Sequence, residues 1–314
     1  MQVENIVTLT MNPAIDVSAS VRQIMTDHKI RCLKTRRDPG GGGINVARVL
    51  KRFGADPLAI FPMGGPSGHM LERLVASEDV RHQGFNINRD CRANFTANEL
   101  ETGAQYRFVL PGPTLNEEEW NAGLGLTTQA CTSGYAVASG SLPRGVPNDF
   151  YGRLARNLHL LGGAKLVLDT SGPPLKNALD LGVYLVKPSL SEFSGLLSQD
   201  SPDLGTCLEA ARTLVVNGKA EIVALTLGAD GALLVSREQA LYAKPPQVTV
   251  RGTVGAGDCF LALLVLSIAR GKDMSEAFRQ AIAAGSAALL SPGTGLASPD
   301  VVAQLAPQVK VEKM

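Results

Sequence analysis

A carboxylate follows three small residues where a long apolar stretch begins, in the segment TVGAGDCFLALLVLSIARG, residues 253–271. Gly255, Ala256 and Gly257 leave their backbone N–H groups accessible, and a helix N-terminus attracts phosphate because its amides point toward the ligand. Asp258 could cap this helix, since Asp is favoured at a helix start, or it could act as a base beside an anion-binding site. The segment alone leaves both alternatives open.

A run of four glycines stands directly before a predicted helix in the segment DPGGGGINVAR, residues 38–48. The run matches neither G-x-G-x-x-G nor G-x-x-x-x-G-K-[ST], so neither a Rossmann nor a Walker site is predicted. Four glycines let the backbone approach a ligand closely, whereas a turn alone needs only one. Asn45, one turn into the helix, adds a donor and an acceptor that suit hydroxyl groups. We therefore predict that this segment contacts a ligand.

Three weaker candidates follow predicted strands. In MNPAIDV, Asp16 is predicted at the end of the first strand, where its carboxylate could accept two sugar hydroxyls or simply form a turn. In VKPSLSE, residues 186–192, Lys187 and Glu192 could hold phosphate and hydrated Mg²⁺. In TLGADGALL, residues 226–234, the strand–turn–strand pattern is also typical of a plain hairpin.

The elements that would position these residues follow an α/β pattern from about residue 40 onward. Short apolar runs alternate with helical periods, among them helices predicted at 257–270 and 274–290. This alternation predicts a mostly parallel sheet between helices. Ligands of such sheets bind at the carboxyl ends of the strands.

Two segments, residues 15–37 and 84–110, break this pattern because their apolar residues alternate near period two. They could pair as a small antiparallel sheet outside the main fold. The two segments concentrate basic side chains: Lys29, Arg31, Lys34, Arg36, Arg37, Arg89, Arg92 and Arg107. These side chains form either a solvated charged face or the inner face of a lid that holds an anionic substrate.

Composition limits the possible functions. The 314 residues, 45% of them hydrophobic, suffice for one large domain or two small ones, and a net charge of +1 argues against a nucleic-acid or membrane-surface partner. The N-terminal residues show no signal peptide, and the longest apolar run, Phe260–Ala269, is too short to span a bilayer. The five cysteines are scattered without a C-x-x-C pair, which predicts reduced thiols in the cytoplasm: Cys32, Cys91, Cys131, Cys207 and Cys259.

The segments DPGGGGINVAR, SGSLPRG, VKPSLSE, TLGADGA and TVGAGDCF, in this order, resemble the PfkB (ribokinase-like) sugar kinases over residues 5–300. Together with AQYRFVLPG, the four glycines are most similar to those of the minor, PfkB-type 6-phosphofructokinases. The related 1-phosphofructokinases and tagatose-6-phosphate kinases usually carry a lysine among these glycines. The resemblance implies a three-layer α/β/α fold with a small antiparallel β lid, in one domain of residues 1–314 whose lid segments are about 15–37 and 84–110.

The resemblance also implies a role for each matching residue. Asp258 would take the proton from the acceptor hydroxyl, and the amides of residues 255–258 would form an anion hole for the transferring phosphoryl group. The sugar would be held by Asp16, Gly41, Gly42, Gly43 and Asn45, and its own phosphate by Lys29, Arg92 and Ser141. The ATP site would be lined by Lys187, Ser189, Thr226, Gly228 and Gly231. Glu192 would serve Mg²⁺ through water, with Asp169 as a second candidate.

Two residues depart from the family pattern. The Asn of the family's Asn-x-x-Glu motif is Ser189 here, and the basic residue expected near the end of SPGTG is Gly295. The first departure bears on contacts to phosphate or to metal-bound water. The second bears on a monovalent-cation site near Ser291–Gly295, which the sequence leaves open.

The function that the resemblance implies is a cytoplasmic, ATP-dependent kinase of a sugar phosphate, with Mg²⁺ as cofactor. Fructose 6-phosphate giving fructose 1,6-bisphosphate is the expected reaction. The alternatives are tagatose 6-phosphate or fructose 1-phosphate as the substrate, or a catalytically silent sugar-phosphate sensor. The resemblance further implies a homodimer through the β lid, without nucleic-acid or membrane partners.

Overall fold

Strands and helices alternate through most of residues 5–291 and 295–314, the part of the chain that this computed structural model describes. The strands are β1 (Ile6–Leu9), β2 (Ala14–Val21), β3 (Lys34–Gly40), β4 (Leu58–Met63), β5 (Arg81–Asn86), β6 (Arg92–Glu99), β7 (Gln105–Phe108), β8 (Tyr135–Ser139), β9 (Lys165–Asp169), β10 (Val183–Val186), β11 (Ala220–Thr226), β12 (Ala232–Ser236), β13 (Ala240–Ala243) and β14 (Val311–Lys313). The helices are α1 (Gly42–Arg52), α2 (Gly65–Ala76), α3 (Glu117–Ala130), α4 (Phe150–Leu161), α5 (Gly172–Leu181), α6 (Leu190–Leu197), α7 (Leu204–Val216), α8 (Ala256–Ala269), α9 (Met274–Leu289) and α10 (Pro299–Leu305).

The larger sheet of the described residues has ten strands in the order β14-β13-β12-β11-β10-β9-β8-β1-β4-β5. It is parallel from β11 to β5, while β12, β13 and β14 add an antiparallel edge. Strands that are covered on both faces are apolar throughout, as residues 222–225 of β11 illustrate. The predicted mostly parallel sheet is confirmed.

Two hydrophobic cores lie on opposite faces of this sheet and account for the three layers. One core packs α1, α8 and α9 on the sheet, and the other packs α3, α4, α5 and α7. Helix α8 is apolar on every side because it contacts α1 and α9 as well as strand β8, so residues 259–267 are all buried. Helices α8 and α9 confirm the predictions of 257–270 and 274–290 to within one residue.

The second sheet, called the lid below, consists of β3, β2, β6 and β7 in that order. Its two outer pairs are antiparallel, as expected, whereas the central strands β2 and β6 run parallel. Because side chains alternate along a strand, Ile15, Val17 and Ala93 pack with residues of α1 and α2. Asp16 and Asn94 are left for the opposite face.

Parts of the predicted lid lie elsewhere in the structure. Residues 84–86 pair with β4 and so belong to the larger sheet, and residues 22–33 form a connection between β2 and β3. Asp16 lies within β2 and not at the end of the first strand, so that prediction is wrong. The cause is the turn at residues 10–13, which divides the apolar start of the chain into two strands in different sheets.

The carboxyl ends of the parallel strands bring polar residues to one edge of the larger sheet, at or just after the last residue of β1, β8, β9, β10 and β11. These residues are Thr10, Ser139, Asp169, Lys187 and Thr226. The sequence predicted ligand binding at this edge. Among the helices described, none combines the length and the hydrophobicity that a bilayer crossing requires.

Candidate active site

A cavity of about 350 Å³ lies between the lid and the N-terminus of α8. The lid contributes polar and basic side chains to it, α1 contributes Asn45, and the start of α8 contributes Asp258. The lining residues are Asp16, Gly41, Asn45, Arg92, Asn94, Thr96, Arg107, Phe108, Val109, Thr253, Val254, Gly255 and Asp258. Residues from both ends of the sequence thus meet at one site.

Asp258 is the third residue of α8 and does not cap it. The N-cap is Gly255, whose φ of 80° lies in the left-handed region, and the helix start has no side-chain cap. The carboxylate Oδ2 of Asp258 instead accepts a hydrogen bond from Asn45 Nδ2 at 2.8 Å. The cap alternative for Asp258 is therefore wrong.

Asp258 holds its proton more tightly than an ordinary aspartate. Burial and the nearby charge of Asp169 raise its pKa to about 6, against the lowering effect of the Asn45 hydrogen bond. A carboxylate with this pKa is ionised at neutral pH and can still accept a proton effectively, which suits a general base.

The backbone at the start of α8 forms a site that can bind an anion. The first hydrogen bond of the helix runs from Cys259 N to Gly255 O at 2.8 Å, so the amides of residues 256–258 precede it and have no partner within the helix. A Cβ atom on Gly257 would lie 3.4 Å from Lys187 Nζ, which places this ammonium group beside the same amides. The amides and the ammonium together favour a bound phosphate.

Lys187 is held at this position by an ion pair. Its Nζ lies 3.1 Å from Asp169 Oδ1, and both side chains are largely buried. Burial alone would lower the pKa of Lys187, but Asp169, Glu192 and Asp258 raise it above its ordinary value. The ammonium group therefore stays charged, and carboxylates outnumber it in this part of the site.

Two of the four glycines, Gly42 and Gly43, pack directly on the end of the larger sheet. A Cβ atom on Gly43 would lie 2.5 Å from the carbonyl oxygen of Leu9, and one on Gly42 would lie 2.1 Å from Ser139 Oγ. Gly41, the N-cap of α1, lines the cavity. Close packing thus requires Gly42 and Gly43 whether or not they contact a sugar, and their predicted sugar contact stays a prediction.

The lid end of the cavity carries a half-buried guanidinium group. Arg92 donates from Nη2 to Asn12 O at 3.0 Å and from Nη1 to Leu110 O at 3.2 Å, while its buried Nε has no partner in the described structure. Asn12 Nδ2 donates to Ser141 Oγ at 3.1 Å, which brings Ser141 next to this group. A buried N–H without an acceptor is costly, and an anion bound here would satisfy it.

The side of the site toward β11 is built from a capped helix and a turn. Ser189 is the N-cap of α6 and forms a capping box with Glu192, with Ser189 N donating to Glu192 Oε2 at 2.7 Å. Ser189 also pairs with Thr226 at the end of β11. Serine caps a helix as well as asparagine does, so the departure from the family motif preserves this local structure.

Two glycines shape the turn after β11. Gly228 begins a short 3₁₀ turn with a φ of 64°, and a Cβ atom there would meet nothing within 4 Å. Gly231 ends the turn with a φ of 104°. Open space above Gly228 lets a flat ligand approach the backbone.

The donors around Lys187 fit a metal ion that is held mainly by water and substrate. Carboxylate oxygens are the ligands that Mg²⁺ prefers. Within residues 5–291 and 295–314, however, no three His, Cys, Asp or Glu side chains cluster closely enough to hold a metal ion. Glu192 and Asp169 are already engaged, by Ser189 N and by Lys187. The monovalent-cation segment Ser291–Gly295 includes residues 292–294, which lie outside the described residues.

Comparison with known proteins agrees with this architecture. The model of the family described as "pfkB family carbohydrate kinase" matches residues 5–301 of this chain. The chain belongs to this family. It is therefore a phosphotransferase that acts on an alcohol group of a sugar, and the implied α/β ribokinase-like fold with a lid is confirmed.

Individual relatives cover nearly the whole kinase. The ATP-dependent 6-phosphofructokinase isozyme 2 of Mycobacterium tuberculosis is 40% identical over 299 residues, which are 95% of this chain and 87% of the relative. The 1-phosphofructokinase of Bacillus subtilis is 30% identical over 309 residues, 98% of this chain and all of the relative. Two crystal structures of Escherichia coli phosphofructokinase-2 cover 97% of this chain and 98% of theirs. The complex with potassium has a TM-score of 0.93 at 36% identity, and that with fructose-6-phosphate has 0.91 at 35%.

The kinase brings six of the site residues predicted from its sequence into one cavity. Asp258, Gly255, Asn45, Gly41, Asp16 and Arg92 line one cavity. Lys29 lies in the exposed connection between β2 and β3 and does not line it. Ser141 reaches the cavity region through Asn12, and its predicted phosphate contact stays a prediction.

Three residues of the site escaped the sequence analysis as contributors to binding or positioning, and Arg107, predicted only as one of the basic lid side chains, lines the cavity. Asn94 donates to Asp16 Oδ1 at 2.9 Å, and Asn12 accepts from Arg92. Arg48, one turn after Asn45, donates to Asn45 Oδ1. The spacing of three residues in NVAR places Asn45 and Arg48 on one helix face and is the signal that could have identified the pair.

Proposed function

We propose that this kinase is an ATP-dependent 6-phosphofructokinase, which transfers the γ-phosphoryl group of ATP to the free alcohol of fructose 6-phosphate. Its 40% identity to a relative of that name supports this substrate. The observation that carries the choice of a phosphorylated sugar is Arg92. This half-buried guanidinium group has a buried, unsatisfied Nε at the end of the cavity formed by the lid, while Asp258 lies at the start of α8.

The chemistry that follows from this geometry is a direct phosphoryl transfer. Asp258 accepts the proton of the sugar hydroxyl, whose oxygen forms a bond to the γ-phosphorus as the bond to the β-phosphate oxygen breaks and ADP leaves. Such a reaction depends on positioning and on charge stabilisation more than on covalent help from the protein. In this proposal, the amides of residues 256–258 and the Lys187 ammonium group stabilise the transferring group.

The remaining residues bind and orient the two substrates in this proposal. Asp16, Gly41, Gly42, Gly43 and Asn45 hold the sugar, and Arg92 and Ser141 hold its phosphate. Lys29 has no part in this proposal, because it lies in the exposed connection between β2 and β3 and does not line the cavity. The ATP site consists of Lys187, Ser189, Thr226, Gly228 and Gly231. Mg²⁺, when bound, would neutralise phosphate charge, and Glu192 and Asp169 would hold it through water.

The assembly and setting of the kinase are also proposals. Residues 1–314 form one kinase domain with inserted lid segments. Two copies associate through the lid, because the lid and its connections expose large apolar side chains: Leu33, Leu100, Tyr106, Phe108, Val109 and Leu110. The cytoplasm is the proposed compartment because all five cysteines are free thiols. A monovalent cation as activator stays a prediction.

A substrate panel tests the proposed reaction. ADP release is measured with the purified kinase, ATP and Mg²⁺ on fructose 6-phosphate, tagatose 6-phosphate, fructose 1-phosphate and unphosphorylated fructose. We expect the highest kcat/KM with fructose 6-phosphate. A higher value with fructose 1-phosphate, the alternative that the Bacillus subtilis relative favours, would replace the proposed substrate. ADP release with none of the sugars would favour the silent sensor.

A further inference from the structure

Arg48 is a buried arginine that contacts the candidate active site through a second residue. It lies on α1 with only 1% of its surface exposed. Its Nη1 donates to Asn45 Oδ1 at 3.1 Å and to Pro39 O at 3.1 Å, directly before the four glycines. These two bonds supply acceptors that a buried guanidinium group needs, and one of them ends on Asn45, which lines the cavity.

The bond from Arg48 fixes which way the Asn45 amide faces. Because Oδ1 is occupied by Arg48, the NH₂ group of Asn45 points to the cavity and donates to Asp258 Oδ2 at 2.8 Å. Asn45 therefore offers Asp258 a donor and not an acceptor. Were the amide to turn over, its carbonyl oxygen would face the carboxylate and repel it.

Arg48 is itself held by Glu78, which follows α2. Arg48 donates from Nε to Glu78 Oε1 at 2.8 Å, and Nη2 contacts the same oxygen. The other oxygen of Glu78 accepts from Arg52 Nη2 at 3.1 Å. Burial alone would raise the pKa of Glu78, but Arg48 and Arg52 lower it below its ordinary value, so this pair is charged on both sides. The contacts thus form a continuous chain from Glu78 through Arg48 and Asn45 to Asp258.

We propose that Arg48, held by Glu78, is a positioning residue that orients the Asn45 amide and thereby keeps Asp258 ionised and aimed at the acceptor hydroxyl. The catalytic part of this inference rests on the proposed kinase function. The orientation of Asn45 and its effect on Asp258 do not. Other charged groups facing Asp258 come from several elements and remain in place when Arg48 is changed: Asp16 of β2, Arg92 of β6, Arg107 of β7, Asp169 of β9 and Lys187 after β10.

The test compares the proton affinity of Asp258 in three variants of the full chain: Arg48→Met, Glu78→Gln and, as control, Arg52→Met. Arg52 lies one turn further along α1 and shares Glu78, yet it makes no bond to Asn45. The pH dependence of the Asp258 carboxyl ¹³C shift is followed by NMR in the free protein, with the signal assigned from Asp258→Asn. The acid limb of the kcat profile is measured in parallel.

We expect Arg48→Met to raise the midpoint of the Asp258 ¹³C titration and that of the acid limb of the kcat profile by about one pH unit each. This is a tenfold change in proton affinity, and it follows because a favourable hydrogen bond is lost. Glu78→Gln should shift them by about half as much, and Arg52→Met by less than about 0.2 unit. In an Asn45→Ala background, Arg48→Met should shift the Asp258 midpoint no further. Asn45 is the link between the two residues, so its removal should uncouple them.

A lower melting temperature of Arg48→Met with an unchanged Asp258 midpoint would overturn the proposal and leave Arg48 a purely structural residue. If Arg48→Met does not fold, Glu78→Gln decides the question, and an unchanged midpoint there overturns it equally. Should no sugar be phosphorylated, the kcat profile is lost, but the NMR midpoints still test the orientation of Asn45. Failure of the proposed function is thereby distinguished from failure of this inference.

Discussion

Replacing Asp258 with asparagine should make the kinase slower and more stable at the same time. Asparagine keeps the size of the side chain and an oxygen that can face Asn45, but it cannot accept the proton of the sugar hydroxyl. Loss of a general base lowers rates by about 10²–10⁴-fold, so kcat should fall by at least about a hundredfold. ATP affinity should be unchanged.

The stability change follows from the pKa of Asp258, which is about 6 in the folded protein against an ordinary value of 3.8. Between these pH values the folded state binds more protons than the unfolded state, so the free energy of unfolding of the wild type falls as pH rises. Two pKa units correspond to about 3 kcal/mol, which the ionised carboxylate costs above pH 6. We expect Asp258→Asn to be more stable by about 1–3 kcal/mol at pH 8, the lower value allowing for a weaker hydrogen bond from Asn45.

Urea unfolding at pH 4, 6 and 8 measures this difference in the free energy of unfolding. The gain should be full at pH 8, slightly smaller at pH 6, and below about 1 kcal/mol at pH 4, where the folded state protonates Asp258 and the unfolded state, with the ordinary pKa of 3.8, is about half protonated. Asp200→Asn, on an exposed carboxylate, is the matched control and should alter neither rate nor stability. A gain that is independent of pH, or a variant that is less stable at pH 8, would refute the reasoning from burial. Near-full kcat would refute the role of Asp258 as the base.

Three further changes test other parts of the site and the assembly. Arg92→Ala should raise KM for fructose 6-phosphate about 10- to 100-fold and leave KM for ATP unchanged, as measured from initial rates. The low kcat/KM for unphosphorylated fructose should also stay unchanged. An equal loss of kcat/KM with both sugars would make Arg92 a structural residue. Glu192→Gln should raise the Mg²⁺ concentration for half-maximal rate without lowering the melting temperature, because Gln preserves the capping box with Ser189; an identical Mg²⁺ titration would remove Glu192 from the site. Leu33→Asp should convert the proposed dimer to a monomer, as measured by light scattering. Leu160→Asp, at an apolar residue of α4 that is 71% exposed, is the control and should leave the dimer intact. A dimer that persists in Leu33→Asp would show that the interface lies elsewhere.

The glycine-rich motifs made most of the site predictable because their chemistry is local. Gly255 and Gly257 indicate accessible amides at a helix start, and Asp258 follows them in the same segment. The α/β alternation then places such segments at the carboxyl ends of strands. Local spacing and one topological rule are enough to bring Asn45 and Asp258 to the same edge of the sheet.

Sequence spacing could not show contacts that depend on strand pairing. From the sequence, Asp16 could equally be a turn former, because its partner Asn94 is 78 residues away. The pairing of strands in the lid is what brings the two side chains to the same face. By spacing alone, Arg92 and Arg107 could belong to a solvated basic face, since only the pairing of β2, β6 and β7 brings them to the cavity. Lys29 illustrates the opposite case, because its residue type suggests a phosphate contact while its connection holds it in solvent.

The parallel pairing of β2 with β6 sets an order in which the kinase can assemble. The two strands are joined by a chain that contains β3, α1, β4, α2 and β5, so closing this long loop is entropically costly until those elements have folded. We expect the pairing of β2 with β6 to be completed only after those elements have folded. The proposed phosphate end of the sugar site would then be absent from a partly folded chain, and binding of a sugar phosphate would favour the completed lid by mass action. The substrate that the lid recognises would in this way also promote the formation of the lid.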